Sequence, residues 1–333
     1  MKKQQKVLAS PFTLLSSPGM HEMGDRVFKL ISKQGAVFNH QKITYTDFAN
    51  GEVLPHIPET VRNQHVFFLH PLQTPGPNGA LMRMFLTNDA LKRAGAASIT
   101  LVIPYIPYLR QDRKDQARVP ISARAIADFI ESNNLVKRVI TFDMHAEQEV
   151  GFFSIPVDNL TSTSLFAKHF NDQPKASGKR VIAVAPDFGG AVRTRRFALK
   201  LGDVPVSIIE KRRPGPNKSE IVSIRGARIR GATAVIFEDM IDTGGTIIKT
   251  VVALKKKGVD TVDLYATHGI FSGKARANFA KSGIRVACTD SIPRSKAFKR
   301  NNPWLDIISI DSMLAKAILE SSLVGGSVSS FNF

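Results

Sequence analysis

The chain has a single cysteine, Cys288, among its 333 residues, so no disulfide can form within it. Its setting in the apolar run Val286-Ala287-Cys288 points to a buried structural thiol and away from a cysteine nucleophile. No stretch approaches the roughly 18 consecutive apolar residues that a membrane-crossing helix needs. The start, Met1 to Lys6 followed by Val7 to Leu15, is broken by Pro11 and polar residues and lacks a small-x-small cleavage site, so a secretory signal is not expected. These absences predict a cytoplasmic protein with no membrane partner. Two nucleotide motifs are missing as well. Neither Gly-x-x-x-x-Gly-Lys-Ser/Thr nor a Gly-x-Gly-x-x-Gly after a strand occurs, which disfavours a P-loop kinase and a dinucleotide-binding enzyme. No spacing of Cys and His suits zinc.

What the chain does have is positive charge. Lys and Arg number 46 against 28 Asp and Glu, a net charge of +18, which favours anionic partners such as nucleotides and sugar phosphates. The cations are spread along the chain with no block of six or more, so a nucleic-acid partner is not expected. An apolar content of 43% is ordinary for a globular protein, and the length suffices for two cores.

Apolar strands alternate with amphipathic helices almost throughout, which predicts an α/β protein with mainly parallel sheets and helices on both faces. Expected strands include 66–69, 98–105, 139–142, 181–185, 206–209, 233–237, 261–267 and 284–289, with helices over 78–94, 122–133 and 191–201. Domain limits are expected at 1–160 and 161–308, followed by a C-terminal helix and tail over 309–333 that packs on the first domain. Lys211 to Glu220, with Pro214, Gly215, Pro216 and Asn217, has the composition of a mobile surface loop. The tail ends in Phe331 and Phe333, which are expected to dock.

The most informative segment is Val-Ile-Phe-Glu-Asp-Met-Ile-Asp-Thr-Gly-Gly-Thr-Ile at 235–247. Its apolar start suits a doubly buried strand, which puts Glu238 and Asp239 at a carboxyl end, where open α/β sheets bind ligands. From Asp242 through Thr243, Gly244, Gly245 and Thr246 the side chains are small, so backbone N–H groups at the start of the next helix can meet an anion closely. The acids would accept hydrogen bonds from sugar hydroxyls. An ordinary turn capped by Asp242 or Thr243 is the plainer alternative.

Two other constellations carry chemistry. Asp143 and His145 follow a strand on the same side of an extended segment, and with Asp187 they form an oxygen and imidazole set of the kind a hard divalent ion takes. The polar run Arg110 to Arg118 follows Pro104-Tyr105-Ile106-Pro107-Tyr108; it is a solvated loop or a clamp for nucleotide phosphates, and composition does not choose between the two.

Together these segments resemble the ribose-phosphate diphosphokinases, which make phosphoribosyl diphosphate from ATP and ribose 5-phosphate. The resemblance rests on Phe48 to Glu52, Arg110 to Pro120, Asp143 to Gln148, Pro186 to Gly190, Lys211 to Asn217, Glu238 to Thr246 and Thr267 to Gly273. It implies two phosphoribosyltransferase-like domains. It further implies an ATP pocket from Phe48, Asn50, Gly51, Glu52, Arg110, Gln111 and Asp115, the last in a flag reaching a neighbouring subunit. His145 and Asp187 match magnesium-binding positions, and Lys211 and Arg213 match catalytic ones. Arg213, Glu238, Asp239, Asp242, Thr243, Gly244, Gly245 and Thr246 match the ribose 5-phosphate site. The expected cofactor is Mg2+, and the expected assembly is a homo-oligomer built on dimers, a hexamer in the family. A noncatalytic regulatory subunit of the same family is the alternative, disfavoured because Lys211, Arg213, His145 and Asp187 are all present. Asp311 stands where members regulated by phosphate carry Ser, and Glu238 where many carry Asp.

Overall fold

The computed structural model describes residues 12–36, 38–173, 180–215 and 218–328, with the side chains of 211–222 also left undescribed. The phenylalanines of the tail, and most of the segment weighed above as a secretory signal, lie outside the described residues. The chain falls into two compact units, one of Met1–Thr161, Ser291–Pro293 and Ser309–Phe333, the other of Ser162–Asp290 and Arg294–Ile308.

In the first unit the elements run β1 (Phe12–Ser16), α1 (His21–Ser32), β2 (Asn39–Lys42), β3 (Thr44–Asp47), β4 (Val53–His56), β5 (His65–Leu69), α2 (Pro77–Arg93), β6 (Ser98–Val102), α3 (Ser122–Glu131), β7 (Val136–Phe142) and β8 (Val157–Leu160). Six strands form a parallel sheet in the order β2-β1-β5-β6-β7-β8, while β3 and β4 make a separate antiparallel hairpin. Strand β5 shows why helices must cover both faces. Val66 and Phe68 pack among Leu81, Met84 and Leu91 of α2, whereas Phe67 points to the other face and meets the Phe12 ring at 5.2 Å. Strand β6 stops at Val102, three residues short of the expectation, because Pro104 and Pro107 cannot extend a ladder.

The second unit continues with α4 (Thr163–Asp172), β9 (Val181–Ala185), α5 (Ala191–Lys200), β10 (Val206–Gly215), β11 (Lys218–Gly226), β12 (Thr233–Ile241), α6 (Gly245–Lys256), β13 (Thr261–Gly269), α7 (Ala275–Ala280), β14 (Arg285–Thr289), α8 (Lys296–Asn301) and β15 (Leu305–Ile308). Its sheet order is β11-β10-β9-β12-β13-β14-β15, with β11 the antiparallel member. Along β12, Val235 and Phe237 face the aromatics Phe166, Phe170 and Phe197 of α4 and α5, while Ala234 and Ile236 face Ile247, Val251 and Leu254 of α6. Removing a ring such as Phe237 would cost about 3–5 kcal/mol.

Residues 211–220 differ from the sequence expectation. Their described backbone belongs to the β10–β11 hairpin, where Lys211 pairs with Ile221 and Arg212 with Glu220. The apolar Ile208, Ile209, Ile221 and Ile224 flanking the turn residues supply strand propensity that overrides the loop-like composition.

The final helix, α9 (Asp311–Ser322), belongs to the first unit and packs on α1. Its first residue, Asp311, is buried and receives both a short hydrogen bond and a second one of 3.2 Å from Arg26. This carboxylate also lies at the positive helix end, where a negative group is stabilising.

Candidate active site

The strand, turn and helix at 233–256 form the core of the candidate site in the second unit. Strand β12 runs four residues beyond its expected end, pairing with β13 as far as Ile241. On its other side β9 pairs only with Thr233, Ala234 and Val235, so Glu238 and Asp239 emerge where the neighbouring strand has ended. The carbonyl of Ile241 accepts from the N–H groups of both Ile270 and Phe271, at 2.8 and 3.0 Å, and Asp242 O accepts from Ser272 at 3.1 Å. Arg294 holds this bracing loop from below by donating to the carbonyls of Gly269 and Ile270.

The residue that precedes α6 is Gly244, with φ 71°, in the capping position that the plainer reading gave to Asp242 or Thr243. Glycine brings no side chain to that position, and a helix N-terminus is the positive end, which favours an anion. Glycine is required at 244. A Cβ there would lie 2.4 Å from Phe279 Cε2, and the left-handed backbone would be strained besides.

Sequence reasoning missed Arg193. From the first turn of α5 its Nη1 sits 3.1 Å from Asp239 Oδ1 and 3.6 Å from Glu238 Oε2. Asp239 is 4% exposed and the Glu238 side chain 17%, so the guanidinium offsets part of the cost of holding two adjacent carboxylates there. The same helix anchors Asp187: Oδ1 of Asp187 accepts the N–H of Gly190, the residue that precedes α5, at 3.1 Å. One helix thus orders both the acid pair and the Asp187 loop. The only sequence signal for Arg193 was an arginine in the first turn of a helix leaving a strand end. Cys288 behaves as expected, with burial pushing its thiol up to about 12. The side chains of Lys211 and Arg213 lie outside the described residues.

In the first unit, Phe48, Asn50, Gly51 and Glu52 make the tip of the β3–β4 hairpin. Phe48 N–H donates to Glu52 O at 2.9 Å, Glu52 N–H to Asn50 Oδ1 at 3.2 Å, and Gly51 takes φ 89°. This leaves the Phe48 ring 47% exposed, a face on which a planar group can stack. The hairpin is fixed to α2. Arg83 pairs with Asp47 and lies 4.7 Å over the Tyr45 ring, while the Tyr45 hydroxyl meets Thr87 Oγ1 at 3.0 Å and Ser17 Oγ at 3.3 Å. Burial raises the Tyr45 pKa, so its hydroxyl stays protonated and able to donate.

The loop after β6 is tied to the same helix, since Tyr108 donates to Asn78. Arg110, Gln111 and Asp115 follow on this exposed loop, which has no regular structure. Gln111 Oε1 accepts from Ser122, and its backbone O accepts from Ala123 N–H at 3.2 Å, so that residue is partly committed to starting α3. At the end of β7, Asp143 takes φ 32°, so the chain turns there and the expected extended segment is not formed. The reason is local pairing: Asp143 N–H donates to Leu160 O at 2.8 Å and Met144 N–H to Asn159 Oδ1 at 3.1 Å.

His145 is carried on the first unit and Asp187 on the second. Among the described residues no group of three or more His, Cys, Asp or Glu could hold a metal ion. Either group offered singly fits a hard divalent ion that brings most of its shell as phosphate oxygens and water. No helix of the described residues is long and apolar enough to cross a membrane.

A family model described as the N-terminal domain of ribose phosphate pyrophosphokinase matches residues 13–133, and one described as the phosphoribosyl transferase domain matches 158–290. The ribose-phosphate pyrophosphokinase of Vibrio cholerae is 44% identical over 277 residues, covering 83% of this chain and 86% of that protein. Its counterpart from Staphylococcus aureus is 40% identical over 279 residues, covering 84% and 85%. The crystal structure of phosphoribosylpyrophosphate synthetase from Mycobacterium smegmatis superposes with a TM-score of 0.81 at 32% identity, over 94% of this chain and 99% of that one. With both halves of the sequence matched and most of each relative covered, the chain belongs to the ribose-phosphate pyrophosphokinase family.

Proposed function

We propose that this protein transfers the β,γ-diphosphoryl group of ATP to the anomeric hydroxyl of ribose 5-phosphate, giving 5-phosphoribosyl 1-diphosphate and AMP. The observation that carries the reading is the α6 N-terminus: a glycine in the capping position, beside a carboxylate pair that Arg193 approaches. The 5-phosphate rests on Thr243 to Thr246, and Glu238 and Asp239 accept hydrogen bonds from the ribose hydroxyls. Phe48, Asn50, Gly51 and Glu52 receive the adenine, with Arg110, Gln111 and Asp115 completing the ATP side.

The anomeric oxygen attacks the β-phosphorus as the bond from that phosphorus to the α,β-bridging oxygen breaks, so AMP leaves and the hydroxyl proton is released. Little covalent work falls to the protein, and rate comes from in-line positioning and charge stabilisation. Lys211 and Arg213 would supply the cations that stabilise charge building on the transferring oxygens. His145 and Asp187 would each offer a ligand to Mg2+, which would supply charge screening for the triphosphate. The chain works in the cytoplasm as a homo-oligomer built on dimers, with the first unit as the ATP side and the second as the ribose 5-phosphate side.

The test is direct. Incubated with Mg2+, ATP and ribose 5-phosphate, the protein should release AMP together with phosphoribosyl diphosphate. ADP as the nucleotide product would overturn the reading.

A further inference from the structure

The positive charge is not shared between the units. Residues 162–308 hold 27 Lys and Arg against 12 Asp and Glu, a net +15 of the chain's +18. Much of it converges on one edge. The strands β9, β12 and β13 are parallel neighbours, so the segments that enter them lie side by side at their amino ends. Those segments bring Arg180, then Arg228 and Arg230, then Lys255, Lys256 and Lys257, all six exposed.

Contacts draw them together. Arg180 donates to the carbonyls of Arg228 and Arg230, the Arg230 side chain packs over Gly258, and Gly231 N–H donates to Gly258 O at 2.7 Å. Across Arg180, 227–232 and 255–260 the only carboxylate is Asp260. Among the described residues none of the six cations is in an ion pair.

We propose that this amino-terminal edge of the second unit's sheet is a docking surface for the phosphodiester backbone of nucleic acid. Lysines in the last turn of α6 complement the helix dipole, but that accounts for none of the three arginines. The segments carry no aromatic residue, so neither base stacking nor anchoring in a membrane interface is provided for, and contact is with phosphates irrespective of sequence. From this edge to the end of β12 is about 25 Å at about 3.3 Å per residue, so the surface is separate from the α6 N-terminus.

The experiment measures the anisotropy of fluorescein-labelled single-stranded RNA and duplex DNA of about 30 nucleotides with the full chain, between about 50 and 300 mM salt (screening lengths of about 14 to 6 Å). Wild type should bind both, with log K falling by about 0.9 per phosphate neutralised on duplex DNA for each decade of salt. The variant R228Q/R230Q/K256Q/K257Q should lose about 3 to 4 from that slope and at least about tenfold in affinity at 0.1 M salt. It should release AMP as wild type does, which reports an intact fold. A control neutralising Lys29, Lys33, Lys92 and Lys137 of the first unit should bind like wild type. Three results would overturn the proposal: no binding at 50 mM salt, equal loss in the two variants, or tighter capture by phosphatidylserine vesicles than by nucleic acid.

Discussion

Replacing Arg193 by methionine keeps the length of the side chain and removes a cation from beside the acid pair. With Nη1 at 3.1 Å from Asp239 and 3.6 Å from Glu238, each gross attraction is about 5 kcal/mol at an effective dielectric of ~20. Most of that is offset by desolvation of the three groups, and the Arg193 side chain is still 23% exposed, so a net loss of about 2–3 kcal/mol is expected. Without that guanidinium the two carboxylates lose a charge that steadies them, which weakens the acceptors offered to the ribose hydroxyls. At 1.4 kcal/mol per decade, kcat/KM for ribose 5-phosphate should fall by about 30- to 150-fold, measured as AMP release at saturating ATP. Adding E238Q to the methionine variant should cost less than E238Q costs in wild type, because the attraction to Arg193 is already gone. A kcat/KM within threefold of wild type, or an equal cost of E238Q in the two backgrounds, would refute the reasoning.

Three further outcomes are expected. Gly244→Ala puts a methyl 2.4 Å from Phe279 Cε2, on a ring stacked against Trp304, and strains a left-handed backbone; destabilisation of about 2–4 kcal/mol should appear as a Tm lower by several degrees, and an unchanged Tm would contradict the geometry. Arg83→Met frees the hairpin from α2 and should raise KM for ATP at least about fivefold while KM for ribose 5-phosphate stays put; equal rises in both would detach the hairpin from the nucleotide side. His70 is fully buried and burial pushes it down to about 4, so the unfolded chain binds the extra proton first as pH falls below about 6.5. Stability should therefore be complete above about 6.5 and decline by about 3 kcal/mol towards pH 4, and urea titrations should show a flatter decline in His70→Gln.

Much of the fold was legible because its signals are local. Continuous apolar runs such as Val235 to Phe237 announce doubly buried strands, and small residues from Asp242 to Thr246 announce a close backbone approach. Chain order was enough to put Glu238, Asp239 and the α6 N-terminus together, since they are neighbours along it. Polar strands were harder to see. Asn39 to Lys42 is nearly all polar, and the β10–β11 hairpin hides in a run that looks like a loop, because ladder hydrogen bonds are satisfied by backbone whatever the side chains.

The sequence by itself determined the class of the fold, the strand-turn-helix proposed to receive an anion, and the total charge. Only the tertiary structure decided which distant side chains meet. Arg193 reaches an acid pair 46 positions away, and Asp311 reaches Arg26 across 285 positions. Parallel strands bring their amino ends together, so cations dispersed in the sequence from Arg180 to Lys257 converge on one edge. The reason is that periodicity and spacing report neighbours within a few residues, whereas these encounters are set by the order in which strands pair.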